Sequence, residues 1–145
     1  MRVGVVGGEP ASAEQQAALG EYFGQLFGQV GERVEVHHCA DAGAVEDAVG
    51  IAASHRAHCR KNVVVVAYPS RGSSEKAVAQ SDVVHLRGGS RTQHALMVSR
   101  VDVLVAVSPT SDLPPQGRIR ASCGFAKGKI PIQDIYPNGA VRSWP

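Results

Sequence analysis

Two loops of this chain combine small residues with side chains that can bind a ligand or transfer a proton. The first contains Gly7, Gly8 and Glu9, and the second spans residues 39–43. Each follows a β-type apolar run and precedes a helical pattern. Short side chains let a ligand reach the backbone N–H groups at a helix start, where unsatisfied donors and the helix dipole favour an anion. We therefore expect backbone N–H groups of both loops to hold phosphate.

Several side chains in and beside the second loop have two interpretations. His37 and His38 are adjacent on a strand and point to opposite faces, so we expect no shared metal ion. His38 either donates a hydrogen bond at the pocket edge or is structural. Cys39 lies beside a helix N-terminus, a position that can activate a thiol, but no general base is identified next to it. Asp41 either caps the next helix or binds a ribose hydroxyl, and Gly43 allows close approach to the backbone.

Basic residues in the second half of the chain are candidates to neutralise phosphate. Residues 1–50 hold two arginines and eight acids, whereas residues 51–145 hold thirteen lysines and arginines against five acids. The planar guanidinium suits phosphate, so the best candidates are Arg91 and Arg118, followed by Arg87 and Arg120. A solvated basic face explains the same asymmetry. The other expected contacts follow later strands: Tyr68 and Pro69 beside the base or sugar, and Ser108 and Gly117 around a proline-rich loop.

Alternating strand and helix patterns predict how these loops come together. β-type runs at residues 2–6, 34–38, 62–68, 82–87, 102–107 and 130–136 are separated by helical periods or loops. Two capping boxes are expected, Ser12 with Gln15 and Ser90 with Gln93, and Gly128 is expected to end the last helix. We predict one α/β domain over residues 1–145, with three layers and a mainly parallel sheet of five or more strands covered by helices on both faces. The carboxyl ends of its strands would bring the loops to one edge.

Cysteine usage and hydropathy limit the class of protein. The three cysteines are widely and irregularly spaced, which argues against both a disulfide framework and a closed zinc site. No segment resembles a signal peptide or a membrane span, so we expect a cytoplasmic protein without membrane contact. Neither the dinucleotide fingerprint G-x-G-x-x-G nor the phosphate loop G-x-x-x-x-G-K-[ST] occurs. We expect no resident cofactor and no metal.

With the loops placed, the chain resembles the SLOG superfamily of Rossmann-like nucleotide-binding domains, which includes relatives of DNA-processing protein A and of the lysine-decarboxylase-like phosphoribohydrolases. The resemblance rests on HHCADAGAVEDAVGIA, on ALMVSRVDVLVAVSP and on GKIPIQDIYPNG. Cys39 stands where the family has glycine, and Val45 replaces an aspartate. Gln93 and His94 fall near the family's Arg-Asn pair. The family's P-G-G-x-G-T-x-x-E signature is absent. The resemblance therefore implies binding more than turnover.

These observations favour binding of a nucleotide or nucleotide-derived small molecule at the carboxyl strand ends, without strong catalysis. The first alternative is a nucleotide glycosidic-bond hydrolase or transferase, with Glu9 or Asp41 as the carboxylate. The second is a nucleic-acid or protein interaction module, which the low aromatic content disfavours. The apolar face of the first helix, with Tyr22 next to Phe23, also indicates a homo-oligomer, although the same residues could all be core.

Overall fold

The computed structural model describes residues 1–29, 33–59, 62–110 and 117–144, except for the side chains of residues 117 and 118. The strands are β1 (Arg2–Gly7), β2 (Val34–His38), β3 (Val63–Ala67), β4 (Val83–Val84), β5 (Val103–Val107), β6 (Ile132–Ile135) and β7 (Val141–Trp144). The helices are α1 (Ala13–Gly28), α2 (Ala44–Ala57), α3 (Glu75–Ala79), α4 (Ser90–Ser99) and α5 (Gly117–Ala126).

The strands form one sheet in the order β4-β3-β2-β1-β5-β6-β7. Every neighbouring pair is parallel except β6 and β7. The chain therefore builds outward from β1 to β4 and then returns to place β5 on the other side of β1. The predicted mainly parallel α/β architecture is confirmed. The strand order reverses between β1 and β5. In open α/β sheets, ligands bind in a crevice outside the carboxyl ends of the two strands at such a reversal, and the region outside the ends of β1 and β5 is named the crevice accordingly.

Alternate side chains of the strands enter two apolar layers, because successive strand residues point to opposite faces. Val3 and Val5 pack with Leu19 and Phe23 of α1, and Ala48 of α2 belongs to the same cluster. On the other face, Val6 and Leu104 pack with residues of α4 and α5 that include Met97, Ile119 and Ala126. The apolar face of α1 is thus buried in the core, which removes the stated reason for expecting self-association.

Local capping determines where two of the helices begin. Ser12 and Gln15 form the expected capping box at α1. The second expected box is wrong: Gly89 is the N-cap of α4, and Ser90 is already helical. The side chain of Gln93 instead donates hydrogen bonds to the Pro69 and Leu86 carbonyls. The Pro69 carbonyl is buried and needs a donor there, and satisfying it outweighs a helix cap.

Two differences from the expected strands lie at the sheet edges. The strand expected at residues 82–87 pairs with β3 only through Val83 and Val84, because the chain then leaves the sheet and exposes 92% of Leu86. β7 was not expected, because its residues are mostly exposed and lack a continuous apolar pattern. The turn before β7 contains Gly139 at φ 83°, a backbone conformation that favours glycine. None of the helices in the described part of the chain is long and apolar enough to span a membrane.

Candidate functional site

The two small-residue loops meet at the carboxyl edge of the sheet and pack against each other. The Ala44 N–H donates to the Glu9 carbonyl at 2.8 Å, and the Ala11 N–H donates to Asp47 Oδ2 at 3.0 Å. The Gly43 N–H faces Glu46 Oε2 at 3.4 Å. Protein groups thus satisfy donors at the start of α2, where we had expected phosphate. The first loop covers this helix N-terminus.

The three loop glycines have different physical roles. A Cβ on Gly43, which has φ 84°, would lie 2.8 Å from the Glu9 carbonyl carbon. A Cβ on Gly7 would lie 2.8 Å from the Ala44 Cβ, so both glycines allow the chain to pack on itself. Within the described part of the chain, no atom lies within 4 Å of a Cβ built on Gly8, which is exposed together with Glu9. Gly8, directly after β1, is therefore the one of these three glycines with open space beside its backbone.

His38 has a structural role, because both of its ring nitrogens form hydrogen bonds within the protein. Its side chain is fully buried. The Ala40 N–H donates to Nδ1 at 2.9 Å, so the hydrogen of the neutral ring lies on Nε2, which donates to Ser81 Oγ at 2.9 Å. Ser81 Oγ in turn donates to the Ala77 carbonyl. Burial lowers the pKa of His38 to about 4, so it is neutral at physiological pH. These bonds also hold Ala40 at φ 56°, which is uncommon for alanine.

Asp41 forms a buried pair with His94 of α4. Asp41 Oδ2 lies 2.8 Å from His94 Nε2, and each residue is 2% exposed. His94 Nδ1 lies 2.6 Å from the Ser90 carbonyl, an acceptor, so this nitrogen carries a hydrogen. The pair fastens the N-terminus of α4 to the loop after β2. Asp41 therefore does not reach the crevice to bind ribose.

Other predicted contacts are also engaged within the protein. Cys39 is completely buried in the layer beneath α4. Ser108 Oγ donates to Asp134, and its carbonyl accepts from Gln15 Nε2. The Pro69 carbonyl accepts from Gln93, as described above. These residues hold the carboxyl edge together and leave little surface for a ligand.

Tyr68 lies in an aromatic and polar cluster rather than in the crevice. Its ring stacks on His85 with 4.4 Å between centroids, and its hydroxyl lies 2.8 Å from His37 Nδ1. Glu35 Oε1 lies 2.8 Å from the other nitrogen of His37, and the Arg100 guanidinium lies 5.7 Å from the Tyr68 centroid. Burial lowers the pKa of His37 and raises that of Tyr68. With Tyr68 only 1% exposed, no ring face is open to a base.

The candidate cations whose side chains are described do not converge on the crevice. The Arg91 guanidinium lies 5.8 Å from the Phe125 centroid, in a groove that Arg120 also lines. Gly117 begins α5, and the side chain of Arg118 lies outside the described part of the chain. Arg87 pairs with Glu75 at 2.6 Å and donates to the Ser70 carbonyl. Neither α4 nor α5 contains an acidic residue, so the charge asymmetry of the sequence becomes a basic face on this side of the sheet.

Sequence reasoning missed the residues that hold this edge together: Gln15 as a buried link to Ser108, and Gln93 and His94 on α4. Gln15 and Gln93 are predicted from the sequence only as capping-box partners, and Gln93 and His94 also fall near the family's Arg-Asn pair. The available signal on α4 is a polar pair between apolar helical positions. Within the described ranges, no group of three or more His, Cys, Asp or Glu side chains could hold a metal ion.

Comparisons with known proteins concern the fold. A scan of protein-family models finds no match for this chain. A search of curated proteins finds none either. The crystal structure of TM1055, a structural-genomics target, matches with a TM-score of 0.57 at 13% sequence identity, covering 86% of this chain and 67% of TM1055. Together with the sheet order, this likeness shows that the chain has a Rossmann-like α/β fold.

Proposed function

We propose that this protein is a SLOG-type domain that binds a nucleotide or nucleotide-derived small molecule, without strong catalysis, in the crevice outside the carboxyl ends of β1 and β5. The open backbone at Gly8 carries the proposal, because it leaves room for a ligand at the reversal of strand order. The loop after β2 is buried and its polar groups are paired within the protein. We therefore assign the proposed contacts to Gly8 and Glu9. The choice of a nucleotide as the ligand rests on the resemblance of the sequence motifs to the SLOG superfamily.

The chemistry of the crevice suits a phosphorylated sugar. Backbone N–H groups at Gly8 and Glu9 would donate to phosphate near the start of α1, whose dipole favours an anion. The exposed Glu9 carboxylate would accept hydrogen bonds from ribose hydroxyls, a role that Asp41 cannot fill while it is buried against His94. Glu9 also repels phosphate placed directly on it, so the proposed orientation puts ribose at its side chain and phosphate at the backbone.

Titration calorimetry and thermal-shift assays with AMP, cyclic AMP and ADP-ribose test this proposal. A ligand that binds only the folded state adds about 2.7 kcal/mol of stability at a hundred times its Kd. Gly8→Val fills the open space and should abolish the gain. Gly28→Val is the matched control, because Gly28 is also exposed, has no atom of the described residues within 4 Å of a built Cβ, and ends α1 at the opposite edge of the sheet. Absence of binding for all three ligands, or equal binding by both variants, contradicts the proposal.

Glycosidic-bond cleavage is the second candidate, and one observation favours it. Glu9 is an exposed carboxylate beside the crevice, positioned on a loop that Gly43 and Ala44 hold in place. Incubation of the protein with nucleoside monophosphates, followed by chromatography of free base, tests it. Base release that Glu9→Gln abolishes and Asp41→Asn retains would establish an enzyme. Binding without base release would favour the binding proposal over the enzyme.

A further inference from the structure

A groove runs along α4 and α5, which pack against each other on the sheet face opposite α1 and α2. It has two parts, with volumes of about 460 and 340 Å³, and Phe125 lines both, so the parts meet at this side chain. Arg120 and Ala121 of α5 line the first part, and Ala95 of α4 and Ile130 line the second. This surface is named the α4–α5 groove.

The charged side chains that line the described part of this groove are all basic. Arg91 and Arg120 lie at the first part and Lys129 at the second, and all three residues are exposed. Neither α4 nor α5 has an acidic residue in its sequence. Asp102, which follows α4, pairs with Arg2 instead. The groove therefore attracts negative charge on both sides of Phe125.

The surface between these cations is apolar and suits aliphatic side chains. Ala95, Phe125 and Ile130 line it and are each partly exposed. Phe125 is the one aromatic residue in the described lining, and the Arg91 guanidinium lies 5.8 Å from its ring centroid. Single-stranded nucleic acid binds best where several open aromatic faces can stack with bases, which this groove does not offer. Its chemistry thus favours a partner that combines acidic and aliphatic side chains.

The same charges disfavour a second copy of this chain as the occupant. A two-fold contact places the same surface of each subunit against itself. Such a contact through the α4–α5 groove would bring Arg91, Arg120 and Lys129 towards their own equivalents. Like charges placed opposite each other oppose association. The groove is therefore suited to a different protein of opposite charge.

We propose that the α4–α5 groove docks an acidic amphipathic helix of another protein. The apolar stripe of that helix would lie against Ala95, Phe125 and Ile130, and its carboxylates would pair with the three cations. Helices that bind in grooves present apolar anchors at positions i, i+3, i+4 and i+7. α4 and α5 each have ten residues, which is about 15 Å of helix, so a partner helix of about three turns spans the groove.

Fluorescence anisotropy with designed peptides tests this proposal. The probe is a fluorescein-labelled peptide of about 18 residues, long enough to be helical, with leucine at the anchor positions and glutamate elsewhere. One control peptide has alanine at every leucine, and another has lysine at every glutamate. We expect saturable binding of the probe, at least about tenfold tighter than that of the alanine peptide, and no binding of the lysine peptide. No saturable binding of the probe, or equal affinity for the probe and the alanine peptide, overturns the proposal.

A carboxylate introduced into the groove should prevent docking. Ala121 is an exposed helical residue in the first part of the groove, so Ala121→Glu should weaken binding of the probe at least about tenfold by repulsion. Ala17→Glu is the matched control, because Ala17 is an exposed alanine on α1. It should bind the probe like the wild type, as should Gly8→Val, which alters the proposed nucleotide site. Unchanged binding by Ala121→Glu refutes docking in the groove.

Removal of charge provides a second test that does not depend on the Ala121 variant. The double variant Arg91→Gln/Lys129→Gln should weaken binding of the probe at least about tenfold. Arg71→Gln/Lys76→Gln removes the same charge from exposed residues of the loop after β3 and of α3, and should leave binding unchanged. Equal losses in the two double variants would indicate unspecific attraction and overturn the proposal. Tighter, steeply salt-dependent binding of a single-stranded oligonucleotide that displaces the probe would also overturn it.

Discussion

Replacing Asp41 with alanine should destabilise the fold strongly, because it leaves His94 buried without its acceptor. The side chains of Asp41 and His94 are 3% and 2% exposed, and their polar atoms are 2.8 Å apart. Removing one member of such a buried pair costs about 3–5 kcal/mol. For a domain of this size, we expect the Tm to fall by roughly 10 °C. Urea unfolding followed by circular dichroism measures the loss directly.

Two control variants test whether loss of the buried Asp41–His94 pair causes the destabilisation of Asp41→Ala. Asp41→Asn keeps a polar partner for His94. Because the Ser90 carbonyl holds the hydrogen of a neutral His94 ring on Nδ1, Nε2 can accept from the introduced amide N–H, so the variant should cost about 1 kcal/mol, the difference between a charged and a neutral hydrogen bond. Asp102→Ala removes an ion pair with Arg2 whose side chains are 51% and 46% exposed. It should cost about 1–2 kcal/mol from that pair and the backbone bond it also makes, which is less than the loss expected for Asp41→Ala. If Asp41→Ala unfolds like the wild type but loses nucleotide binding, Asp41 is a ligand residue and the structural argument fails.

Three further outcomes follow from burial and backbone geometry. Burial lowers the pKa of His38 from 6.5 to about 4, so the free energy of unfolding should be highest above pH 6.5 and fall by about 3 kcal/mol as the pH drops towards 4. Urea unfolding at several pH values should show that His38→Gln loses this pH dependence and that His58→Gln retains it. Gly43→Ala should cost about 1–3 kcal/mol in urea unfolding, because it strains a φ of 84° and clashes with Glu9, whereas an unchanged midpoint would contradict this packing. Cys123, whose pKa burial raises to about 11, should react slowly with iodoacetamide at pH 8; peptide mass spectrometry showing rapid labelling in the folded state would disagree.

Local patterns predicted the elements that depend on local forces. The alternating valines of β1, β2 and β5 are buried on two faces, and Ser12 caps α1 as its spacing with Gln15 indicates. The same spacing failed at Ser90, because the Gln93 side chain is recruited by carbonyls that are distant in sequence. A capping pattern specifies an available hydrogen bond, and a competing buried acceptor determines whether it forms.

The candidate site shows this dependence on long-range contacts more strongly. The sequence correctly placed Gly7, Gly8 and the 39–43 loop at the ends of strands, but it gave no measure of which groups the protein itself would use. Burial, hydrogen bonding and ring stacking engage His38, Asp41, Tyr68 and Ser108 internally. A polar side chain in a loop has the same local pattern whether its partner is a ligand or another part of the chain.

Periodicity and composition can be read from the sequence without knowledge of long-range contacts, so they were enough to predict the α/β class and the mainly parallel sheet and to show the uneven charge. Only the packing of the elements established that the loop after β1 covers the start of α2, that Gly8 is the open glycine among Gly7, Gly8 and Gly43, and that Arg91 and Arg120 lie together beside α4 and α5. It also formed the α4–α5 groove. Each of these features depends on which surfaces meet and exclude water, and that is fixed only when the elements pack.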